Sequence, residues 1–396
     1  MINSLKHIIF VLFVLMFASE SFGQNALSLS SGQHPISSVN SLSSYILNKD
    51  IATNNVSQSH LSSNVVTAIE QDKNGMMWFG TKRGLNTYDS YSFEEYNQTD
   101  GIINATITDI RSVGDTLFVG TEKGLCIYDI KNKKATNFFV ETDSLVIPDN
   151  HIFYISRPIN DKVVVCTKGG TSVYDLKSKK FRIPKINNYF PDYEVRNMEY
   201  VDYDGSWVVA TSNGLVIYQD ENQIIRHFNY IGNYDNALPS NDLKCMCKIS
   251  DDMIFIGTSD GVCVLDAVNV SFKRINLNAL TKNKSPKLDI SNIIPFSDKE
   301  VMIATYTNGL YIYNYQENTA MHISKFNKLY PISENYVYDI YKDEQGSVWI
   351  ATFTGLNRFE NNLARFSTVS IYESGSVLSV NCFLEMQDNN ILVGTE

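Results

Sequence analysis

Basic charge is in short supply in this 396-residue sequence: 33 Lys and Arg stand against 43 Asp and Glu, a net charge of −10. A surface for nucleic acid needs clustered cations to displace counterions. The densest patch, Lys131–Lys134, is broken by Asn132 and lies between two strand-like runs, so it reads as a solvated turn. Nucleic acid is not an expected partner. Long apolar runs are also missing. The longest, Ile8–Phe17, falls short of the ~20 residues that span a bilayer. Metal chemistry has little to work with, because no Cys-x-x-Cys pair exists and the six His are scattered. No cofactor motif and no catalytic constellation appears. The six cysteines (Cys126, Cys166, Cys245, Cys247, Cys263 and Cys382) all sit inside strand-like runs. Cys245 and Cys247 would share one strand face yet stand too far apart to bond without strain. Buried thiols are expected, and a disulfide between neighbouring strands stays open.

Proline is scarce too, at nine residues, whereas Tyr (23) and Phe (21) are plentiful. Aromatic side chains suit pleated surfaces, so the composition favours strands. At the N-terminus, Lys6 and His7 precede the apolar run, and Ser21-Phe22-Gly23 offers small residues before Gln24. That pattern predicts a secretory signal peptide over residues 1–23. Residues 24–60 are rich in Ser and Asn, with strand character only at Tyr45-Ile46-Leu47; this segment either helps close the ring or is partly disordered.

One phrase recurs through the rest of the chain: a small residue, Thr, two residues, Gly, an apolar residue, then an aromatic and often Asp. Its threonines are Thr81, Thr121, Thr167, Thr211, Thr258, Thr305, Thr352 and Thr395, 40 to 47 residues apart. An apolar run long enough for a strand precedes each, such as Met76-Met77-Trp78-Phe79. Before that comes an Asp/Gly turn such as Asp72–Gly75, Asp202–Gly205 or Asp343–Gly346. Four short antiparallel strands per repeat is the pattern of propeller blades, which bury their faces only against one another. The expectation is an all-β chain: a seven-bladed β-propeller of four-stranded antiparallel blades over 61–368, followed at 369–396 by the first two strands of an incomplete eighth repeat. On that reading a second propeller begins there and continues beyond Glu396.

The meander puts the Thr-x-x-Gly turns and the blade-to-blade connections on one rim. Three of those connections are long, at 183–193, 229–241 and 276–289. Loops on a rigid scaffold commonly carry function, and two of these hold exposed-type aromatics: Tyr189, Phe190 and Tyr193, then Tyr230 and Tyr234. Such rings can pack on the C–H faces of sugars, or simply plug the loops. Lys82 and Arg83 at the first Thr-x-x-Gly turn could meet an acidic ligand or form a solvated hairpin tip. Asp109, Glu199 and Asp339 fall on innermost strands, where carboxylates often line a wet channel.

The strings Asp72-Lys-Asn-Gly75-Met-Met-Trp78-Phe-Gly-Thr81-Lys-Arg-Gly84 and Asp343-Glu-Gln-Gly346-Ser-Val-Trp349-Ile-Ala-Thr352-Phe-Thr-Gly355 resemble the regulator-propeller repeat. That repeat fills the periplasmic sensor half of hybrid two-component system proteins of Bacteroidetes-type bacteria. Other copies depart from it: Trp207 is displaced by one position relative to Thr211, and the second, third, fifth and sixth copies have no Trp. The resemblance implies two propellers, an immunoglobulin-like domain, a membrane helix, a histidine kinase, a receiver and a DNA-binding domain in a full-length relative. It implies detection of oligosaccharides from glycan breakdown, a periplasmic location, anchoring in the inner membrane through downstream sequence, and homodimerisation of the full-length form. No kinase residue can be carried onto this chain, which is expected to be non-catalytic itself. Two other classes remain: a propeller scaffold in cell-surface or secretion-system assembly, and a propeller enzyme. The sialidase Asp-x-Gly-x-x-Trp turn is not matched, since these turns hold one more residue between Asp and Gly.

Overall fold

The computed structural model describes residues 45–48 and 61–361, apart from 141–145, 190–192, 220–223, 233, 283–284, 286 and 328–330, and short strands between 372 and 395. The predicted signal peptide and most of the Ser/Asn-rich segment lie outside the described residues.

In the first six repeats a four-stranded antiparallel sheet forms in simple chain order. The innermost strands are Val66–Gln71, Ile107–Val113, Ile152–Ile155, Val195–Tyr200, Leu243–Ser250, Ile290–Ser297 and Val337–Lys342, which define blades one to seven. Each innermost strand packs beside that of the next blade, and the strand of blade seven packs beside that of blade one. The circle is therefore closed. The long connection after blade five carries one short helix, Leu277–Thr281, capped by the Asn276 side chain on the Ala279 N–H.

The repeated phrase owes its residues to this geometry. Thr121, fully buried, donates its hydroxyl to the Gly124 carbonyl at 2.7 Å and accepts the Lys123 N–H at 3.0 Å, pinning the turn. Gly124 has φ +130°, and a Cβ there would lie 2.5 Å from the Phe138 carbonyl oxygen, so only glycine fits. The extra residue of the sixth copy is absorbed without losing this bond, Thr305 donating to the Gly309 carbonyl at 2.9 Å. The aromatic-Asp ending also has a purpose. Asp129, Asp175 and Asp266 each accept the backbone N–H three residues on, closing the hairpin between the third and fourth strands. In the first and seventh copies Asp72 and Asp343 accept turn N–H groups with one oxygen and the buried indole N–H of Trp78 or Trp349 with the other, at 3.0 and 2.8 Å.

Apolar cores fill the spaces between blades. Phe79 of blade one meets Trp349 of blade seven at 5.4 Å between ring centres, an aromatic pair of a kind worth about 0.5–1.5 kcal/mol beyond its buried area. Cys126, Cys166, Cys245, Cys247 and Cys263 are buried free thiols, so none of these five forms the disulfide that the sequence left open.

Blade seven departs from the expected boundaries. Its outermost strand does not follow Phe359 in the chain. It is Tyr45–Asn48, which pairs antiparallel with Gly355–Asn361, Tyr45 opposite Asn361 and Asn48 opposite Arg358. The sheet of blade seven is thus completed by residues 45–48, upstream of the expected start at 61. Beyond it, Val380–Glu385 pairs with Ile391–Thr395, with the register break between Val380 and Cys382 that marks the inner hairpin of most blades.

Candidate ligand-binding site

In all seven blades the innermost strand carries one extra residue at the same place, between the residue opposite the Thr and the residue opposite the small residue before it. Such bulges re-aim side chains. The extra residues are Thr67, Thr108, Phe153, Arg196, Lys244, Ser291 and Tyr338, and all seven line a central channel of about 870 Å³. This size lies within the range of about 300–1,000 Å³ typical of small-molecule sites.

In six of the seven strands the next residue also lines the channel: Asp109, Tyr154, Asn197, Cys245, Asn292 and Asp339. Here the carboxylates are structural. Asp109 accepts its neighbour's Ile110 N–H at 2.9 Å and reaches across to the Ile155 N–H of blade three at 2.6 Å. Asp339 does the same with Ile340 and with Ile69 of blade one, both at 2.8 Å, and accepts the Asn292 amide at 2.5 Å. Burial pushes Asp109 up to about 7 and Asp339 up to about 6, against the backbone bonds that favour the charged form. Burial likewise raises Glu199 to about 7. Towards the far rim, Arg111 bonds Glu70 at 3.0 Å and the Ile155 carbonyl at 3.1 Å, and Lys248 bridges Asp202 and Asp251, each at 2.6 Å. Ion pairs thus furnish that end of the channel.

The opposite end, on the rim of the Thr-x-x-Gly turns, is different in kind. Tyr306, Tyr336 and Tyr338 cluster with ring centres 5.1 to 5.9 Å apart, and Phe353, half exposed, adjoins Tyr336 at 6.1 Å. Elsewhere in the channel lining Arg196 lies 4.4 Å over the Phe153 ring and pairs with Glu194. Four buried polar atoms lining this cavity, Thr108 Oγ1, Arg196 Nε, Asn197 Oδ1 and Ser291 Oγ, have no hydrogen-bond partner among the described residues. Buried polar atoms are seldom left so.

Of the residues singled out in the sequence, Lys82 lines the channel, together with Asp109, Glu199 and Asp339. Arg83 is an exposed turn residue outside it. Tyr189 is exposed at the end of a single 3-10 turn, and Tyr193 packs near His227 at 5.9 Å. Tyr230 sits under Arg274 at 5.6 Å, and Tyr234 is exposed beside Gly232. None of these four lines the channel, and Phe190 lies outside the described residues. The aromatic wall of Tyr306, Tyr336, Tyr338 and Phe353 was not singled out. Its signal was positional: each residue directly follows a repeat Thr or flanks the start of an innermost strand, which the repeat places at the channel mouth.

The two-component regulator propeller model matches residues 60–83 and 331–354, the segments around Trp78 and Trp349. No curated protein sequence matches the chain. Among solved structures, the extracellular domain of a hybrid two-component system of B. thetaiotaomicron is similar with 22% identity and a TM-score of 0.68, over 89% of this chain and 52% of that one. The extracellular domain of a one-component system of the same organism is similar with 19% identity and a TM-score of 0.61, over 84% of this chain and 44% of that one. The chain spans about half the length of these two domains. A streptogramin B lyase shares the architecture at 11% identity and a TM-score of 0.60, over 81% of this chain and 99% of the lyase. At these identities the likeness is one of fold.

Proposed function

Two segments of the chain match the two-component regulator propeller model, and from that premise we propose that it is the non-catalytic, extracytoplasmic ligand-sensing domain of a two-component sensor. The ligand is a short oligosaccharide held at the channel mouth on the rim of the Thr-x-x-Gly turns. One observation carries this reading: an aromatic wall stands at the mouth of a cavity whose lining includes the polar side chains of Lys82, His151, Arg196 and Lys244. Aromatic faces take the C–H faces of sugar rings, and amide, hydroxyl and guanidinium groups take the hydroxyls. The likeness to extracellular domains of sensor systems supports the same role. Signalling would run through a kinase region that the propeller itself does not contain, and no helix among the described residues is long and apolar enough to cross a membrane.

A propeller enzyme is the less favoured reading. Asp109 and Asp339 hold neighbouring blades together through backbone N–H groups, which leaves them poorly placed as a mobile acid and base. Calorimetric titration of the purified propeller against a panel of oligosaccharides tests the proposal. A binder should lose at least tenfold in affinity on Tyr338→Ala or Tyr306→Ala. Equal affinity in both variants would place the site elsewhere, and turnover of any panel member would end the non-catalytic reading.

A further inference from the structure

Blades one and seven place Trp three residues after the turn glycine, Gly75 to Trp78 and Gly346 to Trp349. In both, the ring faces the next blade, Trp78 packing with Tyr128 of blade two and Trp349 with Phe79 of blade one. In blade four one residue fewer separates Gly205 from Trp207. Side chains alternate across a strand, so this shift turns the ring to the other face. Trp207 packs against the core shared with blade three.

The shift also removes its partner. Asp202, the counterpart of Asp72, binds Lys248 instead, and the Trp207 indole N–H makes no hydrogen bond among the described residues. The ring is partly buried, with Tyr200 edge-on at 5.1 Å, and with Tyr218 it forms one wall of a cleft of about 400 Å³ between blades three and four. The facing wall is cationic. Lys162 and Arg182 of blade three are exposed and form no salt bridge among the described residues. Asp175, across the strand from Lys162, accepts the Ser178 N–H and attracts the Lys162 charge without forming a salt bridge with it. Asn160 and Asp204 complete the lining, Asp204 using one oxygen to accept the Ser206 N–H at 3.0 Å.

We infer that this cleft is a second ligand site, distinct from the channel mouth, and that it takes a sugar acid of one or two rings. Trp207 and Tyr218 offer flat apolar faces for a ring, Arg182 and Lys162 offer charge for a carboxylate, and Asn160, Asp204 and the Trp207 N–H offer partners for hydroxyls. Hydroxyl partners distinguish a sugar acid from an aromatic acid, which could use only the rings and the cations.

Trp207 reports on the cleft directly, since Trp78 and Trp349 are buried. Titrating the chain with glucuronate or galacturonate should change its fluorescence saturably, with glucose at least tenfold weaker. Arg182→Gln and Lys162→Gln, both at exposed positions, should each weaken the sugar acid about tenfold while leaving the melting temperature unchanged. Tyr338→Ala at the channel mouth should leave the response as it is, which separates this site from the one proposed above. No saturable response to either sugar acid, or a response untouched in the Arg182→Gln/Lys162→Gln double variant, would overturn the assignment. Benzoate binding as tightly as the sugar acids would overturn the ligand class.

Discussion

Gly120 of blade two has no side chain because Ile152 of blade three occupies the place where one would be: a Cβ on Gly120 would stand 2.7 Å from Ile152 Cγ2. The same fit recurs between Gly80 and Ile107, and between Gly257 and Ile290, each at 2.6 Å. Where the small residue is larger, its core neighbour from the next blade differs: Cys166 packs with Val195, Ala210 with Leu243, and Ala351 with Val66. The small residue of the repeat is thus one half of a volume match between blades.

Overpacking a tight core typically costs about 1–3 kcal/mol. Gly120→Ala should destabilise the propeller by that order in urea unfolding. Adding Ile152→Ala, which removes the Cγ2 methyl, should recover part of the loss, although Ile152→Ala alone is destabilising. Simple additivity in this double-mutant cycle would mean that the two positions do not share the space.

Asp343 ties the turn before blade seven's second strand to the indole of Trp349, which is 1% exposed. Asp343→Ala leaves a buried indole N–H and a turn N–H without an acceptor, at about 1–3 kcal/mol each. Asp202→Ala in blade four lacks this consequence, because Asp202 holds only Lys248, at an exposed position. Chemical denaturation should show a large loss for the first variant and a small one for the second. Equal losses would refute the role given to the indole bond.

Two sets of carboxylates give the stability a pH profile with opposing slopes. Burial raises Asp109 and Glu199 to about 7 and Asp339 to about 6 in the folded chain, whereas the unfolded values are near 4. Between roughly pH 4 and 7 the folded state therefore binds more protons, and stability falls as pH rises through that window. Asp129, Asp175 and Asp266 are shifted down by the backbone N–H groups that they accept. Their contribution is present above about pH 4 and is lost below it. Thermal unfolding should accordingly be most favourable to the fold near pH 4–5 and less so at pH 8. A melting temperature that rises steadily from pH 5 to 8 would contradict the burial of the channel carboxylates.

Much of this architecture was legible in the sequence because each blade must solve the same problems. Thr121, Gly124 and Asp129 recur since any four-stranded blade needs those turns. The site was less legible. The bulge that aims Tyr338 and Arg196 into the channel adds one residue to a strand whose alternation already looks regular, and nothing in a single copy marks it. Loop aromatics such as Tyr230 and Tyr234 drew attention by composition, yet a loop's path is not set by the repeat, and Arg274 fixes this one through the carbonyls of Ala237, Gly232 and Leu238. The free edge of Trp207 was visible as a one-residue displacement, and its meaning depended on which face of the strand was already occupied.

The thiols offer a simple check on the packing. Burial pushes Cys126, Cys247 and Cys263 up to about 12, Cys245 higher still, and Cys166 well above its ordinary value. A protonated, enclosed thiol is a poor nucleophile. Iodoacetamide at pH 8 should leave these five unmodified in the native chain and label them in urea. Rapid native labelling at any of them, located by peptide mapping, would show that the blade interface concerned is open.

Closure by Tyr45–Asn48 predicts a particular failure. Without that strand, Gly355–Asn361 becomes an unpaired outer edge, with backbone groups free to pair with another chain. A chain beginning at residue 61 keeps the inner contacts of blades seven and one, including Trp349 against Phe79, so it should still fold. Its melting temperature should drop, and it should self-associate in a concentration-dependent way on size-exclusion chromatography. Adding a synthetic peptide spanning residues 43–50 should restore the monomer by supplying the missing strand. A shortened chain that stays monomeric and melts with the longer one would mean that the ring is held by its inner strands alone, and that the pairing of Tyr45 with Asn361 contributes nothing to closure.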